Sequence, residues 1–198
     1  YDVSEGAIEI DGIDIRDYAT TDLRAKFGVV FQNDTLFKDT IRENIRLGRN
    51  LSDEALLEAA RRAQALDFIR EQGGLDAPVA IKGANLSGGQ KQRLLIARAL
   101  AGSPEILVLD DSSSALDYKT DARLREEIRL HCAAATKIIV AQRVSSIMHA
   151  EKILVMENGR VIGMGTHDTL METCPLYREI GDSQIGDRRP AAGEGVLA

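Results

Sequence analysis

Short, wholly apolar segments alternate along this chain with stretches of helical periodicity, and few folds accommodate that order. The sequence predicts strands at about Phe27 to Phe31, Ile106 to Asp110 and Lys137 to Ala141, with helices between them. Alternating strands and helices build an α/β fold, in which a mostly parallel sheet is covered by helices on both faces. Ligands of such folds bind at the carboxyl ends of the strands, so functional residues are expected just after each of these three segments.

Three helices are predicted from periodicity and capping residues. Ser52 is a good N-cap, and apolar residues recur at helical spacing from there to Gly73, which predicts one continuous amphipathic helix. Further helices are predicted over Gln90 to Leu100 and over Lys119 to His131. The dipeptide Ser103-Pro104 ends the earlier of these two, because the residue before a proline disfavours the helical conformation.

Two hairpins are predicted from dipeptides that tolerate positive φ angles. Asp11-Gly12 closes a short strand at Ala7 to Ile10. Asn158-Gly159 joins strands at Lys152 to Glu157 and Arg160 to Met164. The second of these hairpins lies beyond the last apolar strand of the predicted sheet.

Charge and composition exclude several classes of protein. The 198 residues include 31 acidic and 25 basic side chains, interspersed, for a formal net charge of −6, whereas a nucleic-acid partner requires a basic patch or stripe. The longest apolar stretches fall far short of the roughly 18 residues of a membrane-spanning helix, so this segment is not expected to cross a bilayer. Neither the two cysteines, Cys132 and Cys174, nor the three histidines have the spacing of a metal site.

The most specific motif is the segment Leu86 to Gln90, of sequence Leu-Ser-Gly-Gly-Gln, which precedes an alanine-rich helix. Two glycines at the start of a helix allow backbone N–H groups to approach an anion closely, and the positive end of the helix dipole favours phosphate there. The Ser87 hydroxyl adds a further donor. Alone, the same residues could serve only as a flexible N-cap.

Further motifs lie on either side of this segment. Ile106 to Asp110 is an aliphatic run that ends in an acid and continues into Asp111 and Ser112 to Asp117. Upstream, Val29 to Gln32 ends a strand in an amide, and Thr40 to Ile45 follows. Each is ordinary alone, but in this order they resemble the Q-loop, signature, Walker B strand and D-loop of ATP-binding-cassette (ABC) ATPases of the exporter type.

The resemblance implies a P-loop NTPase-like ABC ATPase fold and a division of the chain. An ATP-binding domain would occupy residues 1–182, with a helical subdomain over about 33–102 that carries the signature. The segment from Asn33 to Asn44 would meet the coupling helices of a transmembrane domain. Residues 183–198, where Gly, Pro, Ala and charge replace any periodicity, are predicted to be a flexible tail.

The resemblance also implies ligands and roles for single residues. ATP and Mg²⁺ would be bound, with Asp110 and Gln32 holding the cation, partly through water. The implied catalytic residues are Asp111, Gln142 and Gln32. The implied nucleotide-binding residues are Leu86, Ser87, Gly88, Gly89, Gln90, Asp110 and Asp117.

The chain lacks one motif that the family requires. No G-x-x-x-x-G-K-S/T occurs in the sequence, so the loop and lysine that cradle the β- and γ-phosphates are missing. In the family that loop would come just before Tyr1, so the N-terminus is expected to be truncated and the isolated chain to be inactive. Ile81, before the signature, also stands where many exporters carry an acidic residue.

Two further departures weaken the same chemical step. Asp111 stands where the family usually has a glutamate that acts as general base toward water, and proton abstraction requires contact at about 2.6–3.2 Å. Aspartate is one methylene shorter, and a displacement of about an ångström can cost on the order of 100-fold in rate. Gln142 replaces the usual switch histidine, and its amide can donate a hydrogen bond but cannot become cationic.

These patterns together predict one half of a heterodimeric exporter, at the cytoplasmic face of the cell membrane, which touches that membrane only through its transmembrane domain. The unaltered signature of this chain would complete the ATP site of a second ABC half-transporter, whereas the chain's own hydrolytic site would be degenerate. A slowly hydrolysing homodimer is the alternative assembly. A soluble, non-transport ABC ATPase and a regulatory ATP-binding subunit with little turnover are the alternative functions.

Overall fold

The computed structural model describes residues 3–186 as two compact units, of which the first ends at Val140 and the second begins at Ala141. The strands of the first unit are β1 (Glu9–Ile10), β2 (Ile13–Asp14), β3 (Phe27–Val30), β4 (Asp39–Thr40), β5 (Pro78–Val79), β6 (Ile106–Asp110) and β7 (Thr136–Val140). Its helices are α1 (Thr20–Ala25), α2 (Ile41–Arg46), α3 (Asp53–Arg62), α4 (Leu66–Glu71), α5 (Gly88–Leu100) and α6 (Tyr118–His131). The second unit contains α7 (Val144–Ile147), β8 (Ile153–Glu157), β9 (Arg160–Gly165), α8 (His167–Thr173) and α9 (Pro175–Gly186).

The central sheet of the first unit is parallel, with the strand order β3-β6-β7. This confirms the predicted α/β class and all three predicted strands. Coverage of the sheet is uneven, however. Leu107 and Leu109 of β6 are buried, whereas every side chain of β7 is exposed, including Ile138, Ile139 and Val140 at 49%, 37% and 53%. The expectation that helices cover both faces therefore does not hold for β7, one of the two edge strands of the described sheet.

The predicted single helix from Ser52 to Gly73 is wrong, because two helices occupy that stretch. Ser52 caps α3 as expected, but α3 ends at Arg62 and α4 begins at Leu66. Gln64 between them adopts a left-handed backbone with φ of 56°. Its carbonyl oxygen accepts a 2.7 Å hydrogen bond from Arg93 of α5. A tertiary hydrogen bond thus stabilises a break that apolar periodicity alone does not reveal.

Helix α5 is the centre of the first unit, and its residues from Leu94 to Leu100 are all buried. It packs against α2, α3 and β3. Gly28 of β3 allows the closest approach, since a Cβ there would collide with the Ala99 carbonyl oxygen and lie 2.7 Å from the Pro104 ring. The C-terminal half of α5 is therefore fixed in the core, and its N-terminus projects toward the surface.

Both predicted hairpins are confirmed. β1 pairs with β2 through Asp11 and Gly12, and β8 pairs with β9 through Asn158 and Gly159. All four turn residues have φ between 49° and 80°. The second hairpin packs on a small core of its own unit, made by Ile153, Val155, Leu170, Cys174 and Tyr177.

Helix α9 runs to Gly186, so the first residues of the predicted tail, 183–186, are helical. The rest of the predicted tail, 187–198, lies outside the described residues. None of the helices between residues 3 and 186 combines the length and the apolar content that crossing a bilayer needs.

Candidate functional site

The carboxyl edge of the parallel sheet brings together polar residues from two strands. Val30 of β3 pairs in parallel with Leu109 of β6, so the chain leaves both strands at the same edge. Gln32 follows β3 and is exposed, while Asp110 ends β6 and is half-buried beside Asp111. These three residues, each predicted from sequence, thus emerge at the position where α/β folds bind ligands.

Asp111 has an unusual backbone. Its φ of 47° lies in the left-handed region, which costs a non-glycine residue free energy and persists only where surrounding contacts enforce it. Its amide donates to the Val140 carbonyl oxygen of β7 at 2.9 Å, and its own carbonyl oxygen accepts from the Ser114 hydroxyl at 3.1 Å. Such strain concentrates at functional positions, so the outlier itself marks Asp111 as a candidate.

Asp111 lies in the segment Asp110–Asp117, which is termed the strand-end segment. It ends at Asp117, the N-cap of α6, whose carboxylate accepts hydrogen bonds from Lys119 N, Thr120 N and Thr120 Oγ1 at 3.1, 2.9 and 2.7 Å. The hydrogen bonds from Thr120, followed by that from Lys119, hold the pKa of Asp117 below its ordinary value. Because the carboxylate is committed to its own helix, Asp117 has a capping role here beside any role toward a ligand.

The segment Leu86–Gln90, termed the signature segment, starts α5 with a reciprocal cap. The Ser87 hydroxyl accepts from Gln90 N at 3.2 Å, and the Gln90 side-chain oxygen accepts from Ser87 N at 2.9 Å. Leu86 is buried and anchors the segment, whereas Ser87 and Gly88 are exposed. No acidic residue lies in the first turn of α5. The positive end of the helix dipole therefore faces the surface without a competing carboxylate, as an anion site requires.

The two segments meet at the glycines. A Cβ on Gly88 would lie 3.4 Å from the Ala115 side chain, and one on Gly89 would lie 3.2 Å from the Ala115 carbonyl oxygen. Glycine is thus needed at position 89 for close backbone approach inside the chain, in addition to any approach of a ligand. The predicted signature and strand-end residues therefore form one continuous surface of the first unit.

Gln92 joins the same surface, although sequence reasoning did not single it out. Its amide nitrogen donates to the Ser114 hydroxyl at 3.1 Å, and its amide oxygen accepts from Ala115 N at 2.9 Å. The signal that could have found it is helical spacing. Residue 92 lies four positions after Gly88 and three after Gly89, and so shares their face of α5.

Gln142, the remaining predicted site residue, belongs to the second unit. It is exposed, and its backbone oxygen accepts a 2.8 Å hydrogen bond from the Gln184 side chain. The Gln184 side-chain oxygen in turn accepts from Val144 N at 2.9 Å. The backbone at Gln142 is therefore tied to α9 within its own unit.

A second feature that sequence reasoning missed is a buried polar cluster behind the loop that follows Gln32. Arg98 of α5 is only 6% exposed, and it donates to the Asn44 backbone oxygen at 2.8 Å, the Asn44 side-chain oxygen at 3.1 Å and the Thr35 oxygen at 3.0 Å. Asn44, 1% exposed, also donates to the carbonyl oxygens of Phe37 and Thr40. Since buried polar groups must be paired, this network fixes the loop over 34–40 against α5.

The donor set at the sheet edge suits a cation that is held mainly by another ligand. Among residues 3–186, no group of three or more His, Cys, Asp or Glu side chains is placed to hold a metal ion. Asp110 and Gln32 supply oxygen atoms, the ligands that Mg²⁺ prefers, and a Mg²⁺ carried on phosphates needs only one or two from the protein. The residues present fit that arrangement.

Comparisons with known proteins agree with this geometry. The family model described as ABC transporter matches residues 1–114. An uncharacterised ABC transporter ATP-binding protein of Mycobacterium tuberculosis is 43% identical over 188 residues, which cover 93% of this chain and 32% of the relative. A Staphylococcus aureus protein provisionally named a multidrug export ATP-binding/permease protein is 45% identical over 182 residues, 91% of this chain and 32% of that protein.

A solved structure gives the same result. The structure of a bacterial Atm1-family ABC exporter with ATP bound superposes with a TM-score of 0.89 at 41% identity, over 93% of this chain and 33% of that one. A parallel α/β sheet whose strand-end segment contacts a glycine-opened helix N-terminus defines a phosphate-binding class of protein. Within that class, the chain belongs to the ABC transporter family and has the ABC ATPase fold. It spans about a third of the length of the curated relatives it matches.

Proposed function

We propose that this chain is the ATP-binding part of an ABC exporter, in which ATP binding and hydrolysis at a head-to-tail dimer interface drive transport of a substrate across a membrane. The observation that carries the proposal is the surface on which the signature and strand-end segments meet. The signature segment presents unneutralised helix amides for the phosphates that a partner cradles, and the strand-end segment carries the carboxylates for Mg²⁺ on the chain's own nucleotide. These are the two chemistries that a Mg²⁺-bound triphosphate needs.

The proposed roles follow from these chemistries and the family resemblance. Asp110 and Gln32 hold Mg²⁺, partly through water, and the cation neutralises charge that develops on the phosphates. Asp111 acts as general base toward the attacking water, and Gln142 contacts the γ-phosphate. The signature residues, with Leu86 as anchor, grip the triphosphate that a second subunit cradles, while Asp117 lies toward the dimer interface. Proposed boundaries remain an ATP-binding domain over 1–182 with a helical subdomain over about 33–102.

The proposed partner is a second ABC half-transporter in a heterodimer. Asp111 and Gln142 both weaken hydrolysis in this chain, whereas its signature segment is unaltered, so the complete pair would hydrolyse ATP mainly at the site that this signature completes. The loop over 34–40, which the Arg98–Asn44 cluster fixes, supports contact with coupling helices of a transmembrane domain. That domain places the chain at the cytoplasmic face of the membrane, and the net charge of −6 argues against nucleic acid.

The test is the ATPase rate at this chain's own site, measured in the complete pair after the general base of the second subunit has been replaced, with and without Asp111→Glu in this chain. Glutamate restores the missing methylene, so we expect turnover to rise on the order of 10-fold. This gain is smaller than the roughly 100-fold cost of misplacing a catalytic group by about an ångström, because Gln142 remains at the switch position. Asp110→Glu is the matched control, since the same lengthening at the proposed Mg²⁺ ligand should lower the rate. An unchanged rate with Asp111→Glu would contradict a defect at this position. A wild-type pair without ATPase activity would favour the regulatory, ATP-binding role.

A further inference from the structure

Gln92 uses both ends of its side-chain amide on the strand-end segment. Its nitrogen donates to the Ser114 hydroxyl at 3.1 Å and its oxygen accepts from Ala115 N at 2.9 Å. The residue is half-buried on the second turn of α5, one turn after Gly88 and Gly89. A primary amide is the only neutral side chain that supplies a donor and an acceptor at this spacing, so a two-point contact of this kind depends on residue type.

The contact continues to the strained backbone. The Ser114 hydroxyl, which accepts from Gln92, donates its own proton to the Asp111 carbonyl oxygen at 3.1 Å. Asp111 holds a left-handed backbone with φ of 47°, and such a conformation requires surrounding contacts to persist. The relay Gln92 to Ser114 to Asp111 supplies one of these contacts. The other end of the relay is Gln92 itself, one turn after Gly89, which lies against the Ala115 carbonyl oxygen.

We infer that Gln92 is a positioning residue that locks the strand-end segment to the signature helix, so that the Asp111 carboxylate and the Gly88–Gly89 tip of one chain keep a fixed separation. This inference rests on the proposed function. In a head-to-tail pair, the carboxylate serves the nucleotide of its own chain and the tip serves the nucleotide of the partner. Whichever of the two sites hydrolyses ATP, Gln92 therefore helps to position one group of that site, either Asp111 or the Gly88–Gly89 tip.

The structural part is tested by hydrogen–deuterium exchange of the full-length protein that carries this chain. Gln92→Met keeps the volume and removes both hydrogen bonds, so exchange of the amides in 111–116 should rise at least several-fold, while the middle of α6, residues 122–129, keeps its protection. Lys91→Met is the matched control. Lys91 is the half-buried neighbour of Gln92 and has no side-chain hydrogen bond to the described residues, so its variant should exchange like the wild type. Unchanged exchange in Gln92→Met would overturn the inference.

The functional part is tested by turnover of the complete pair with Gln92→Met in this chain. We expect kcat to fall about 10-fold with KM for ATP nearly constant, because misplaced groups act on the transition state rather than on binding. Gln92→Glu should lie between, since its carboxylate still accepts from Ala115 N but draws the Ser114 proton away from Asp111. Ser114→Ala removes the middle of the relay, so the double variant with Gln92→Met should lose no more than the larger single loss.

The outcomes separate this inference from the proposed function. A wild-type pair without ATPase activity would refute the proposed function, and the exchange experiment would still decide whether Gln92 fixes the strand-end segment. Faster exchange in 111–116 with an unchanged kcat would refute the positioning role. Additive losses in the double variant would refute the relay.

Discussion

Helices α5 and α6 both start at the surface formed by the signature and strand-end segments, but their N-termini are built differently. Helix α5 is capped by the neutral Ser87, begins with two glycines and has no acid in its first turn. Helix α6 is capped by the Asp117 carboxylate and carries Asp121 in its first turn. The positive end of α6 is therefore neutralised by its own residues, whereas that of α5 is left for an external anion.

This difference shows why a helix N-terminus is not by itself an anion site. Both helices are long enough to have a dipole, and both are capped by side chains that accept backbone N–H groups. They differ in the charge of the cap and of the first turn, and in the two glycines that begin α5. The capacity of the signature segment to bind phosphate thus depends on what the sequence leaves out of the first turn as much as on the glycines.

The largest expected effect comes from giving α5 the cap of α6. In Ser87→Asp, aspartate caps a helix as well as serine does, so stability should hold, but its charge repels phosphate at the helix end. We expect ATPase turnover of the complete pair to fall on the order of 100-fold, the typical cost of losing one preorganised donor. Ser52→Asp is the matched control, because Ser52 caps α3 in the same way, next to Asp53 and Glu54. Equal rates for both variants would break the comparison.

The second largest effect is expected at the buried C-terminal half of α5, which fixes the position of the exposed N-terminus of the same helix. Arg98→Met removes the hydrogen bonds to Asn44 and Thr35 and leaves the two oxygens of the buried Asn44 without this donor. We expect the free energy of unfolding in urea to fall by about 2 kcal/mol, within the range for charged hydrogen bonds in buried sites. Arg129→Met removes an exposed arginine of α6, 67% exposed, and should change stability little. Equal losses would show that α5 needs no such anchor.

A smaller effect is expected in the second unit, at Gln142. Gln142→His restores a side chain that can carry positive charge, so turnover should rise on the order of 10-fold. The gain should be smaller than the loss of rate that follows removal of a hydrogen-bond donor, because the glutamine amide already donates. The measurement is the ATPase rate at this chain's own site across pH, in the complete pair whose second subunit has lost its general base. The gain should be larger below about pH 6.5, where an ordinary imidazole is protonated. A gain that does not change with pH would argue against a role for the charge.

The smallest effect concerns the charged cap of α6 and depends on pH. The depressed pKa of Asp117 means that its carboxylate stabilises the fold above its ordinary pKa of 3.8, and this stability is lost as pH falls through the lower folded-state value. Asp117→Asn should therefore lower Tm modestly at neutral pH. The difference from the wild type should shrink in thermal melts below pH 3.8. A constant difference down to the most acid condition would show that charge contributes nothing to this cap.

The sequence predicted the parts of this fold that depend on local pattern. The strand Ile106–Asp110 and the cap at Ser52 are confirmed, because apolar runs and capping residues act over a few positions. The break at Gln64 could not be predicted, since it is stabilised by Arg93, which is distant in sequence. The exposure of β7 was missed for the same reason, because burial depends on what packs against a strand and its apolar sequence cannot report that.

The candidate site shows the same division. The signature and strand-end segments were identified from motifs, and the structure of the first unit brings them into contact at Ala115. The left-handed backbone of Asp111, the Gln92 contact and the Arg98–Asn44 cluster were not identified, because each depends on contacts between residues that are distant in sequence. The roles proposed for the site residues, among them Gln32, Asp111 and Gln142, all stay predictions.

The exposed strand β7 has a practical consequence for work with this polypeptide. Among residues 3–186 its backbone hydrogen-bonds only to β6 and the flanking residues Glu105 and Asp111, so one row of backbone amides and carbonyls and three aliphatic side chains are open to other molecules. An uncovered apolar strand edge is a template for another strand, and two copies can satisfy each other there. Concentrated samples of these 198 residues alone are accordingly expected to self-associate and precipitate, and dilution or a lysine at position 139 should keep them dispersed.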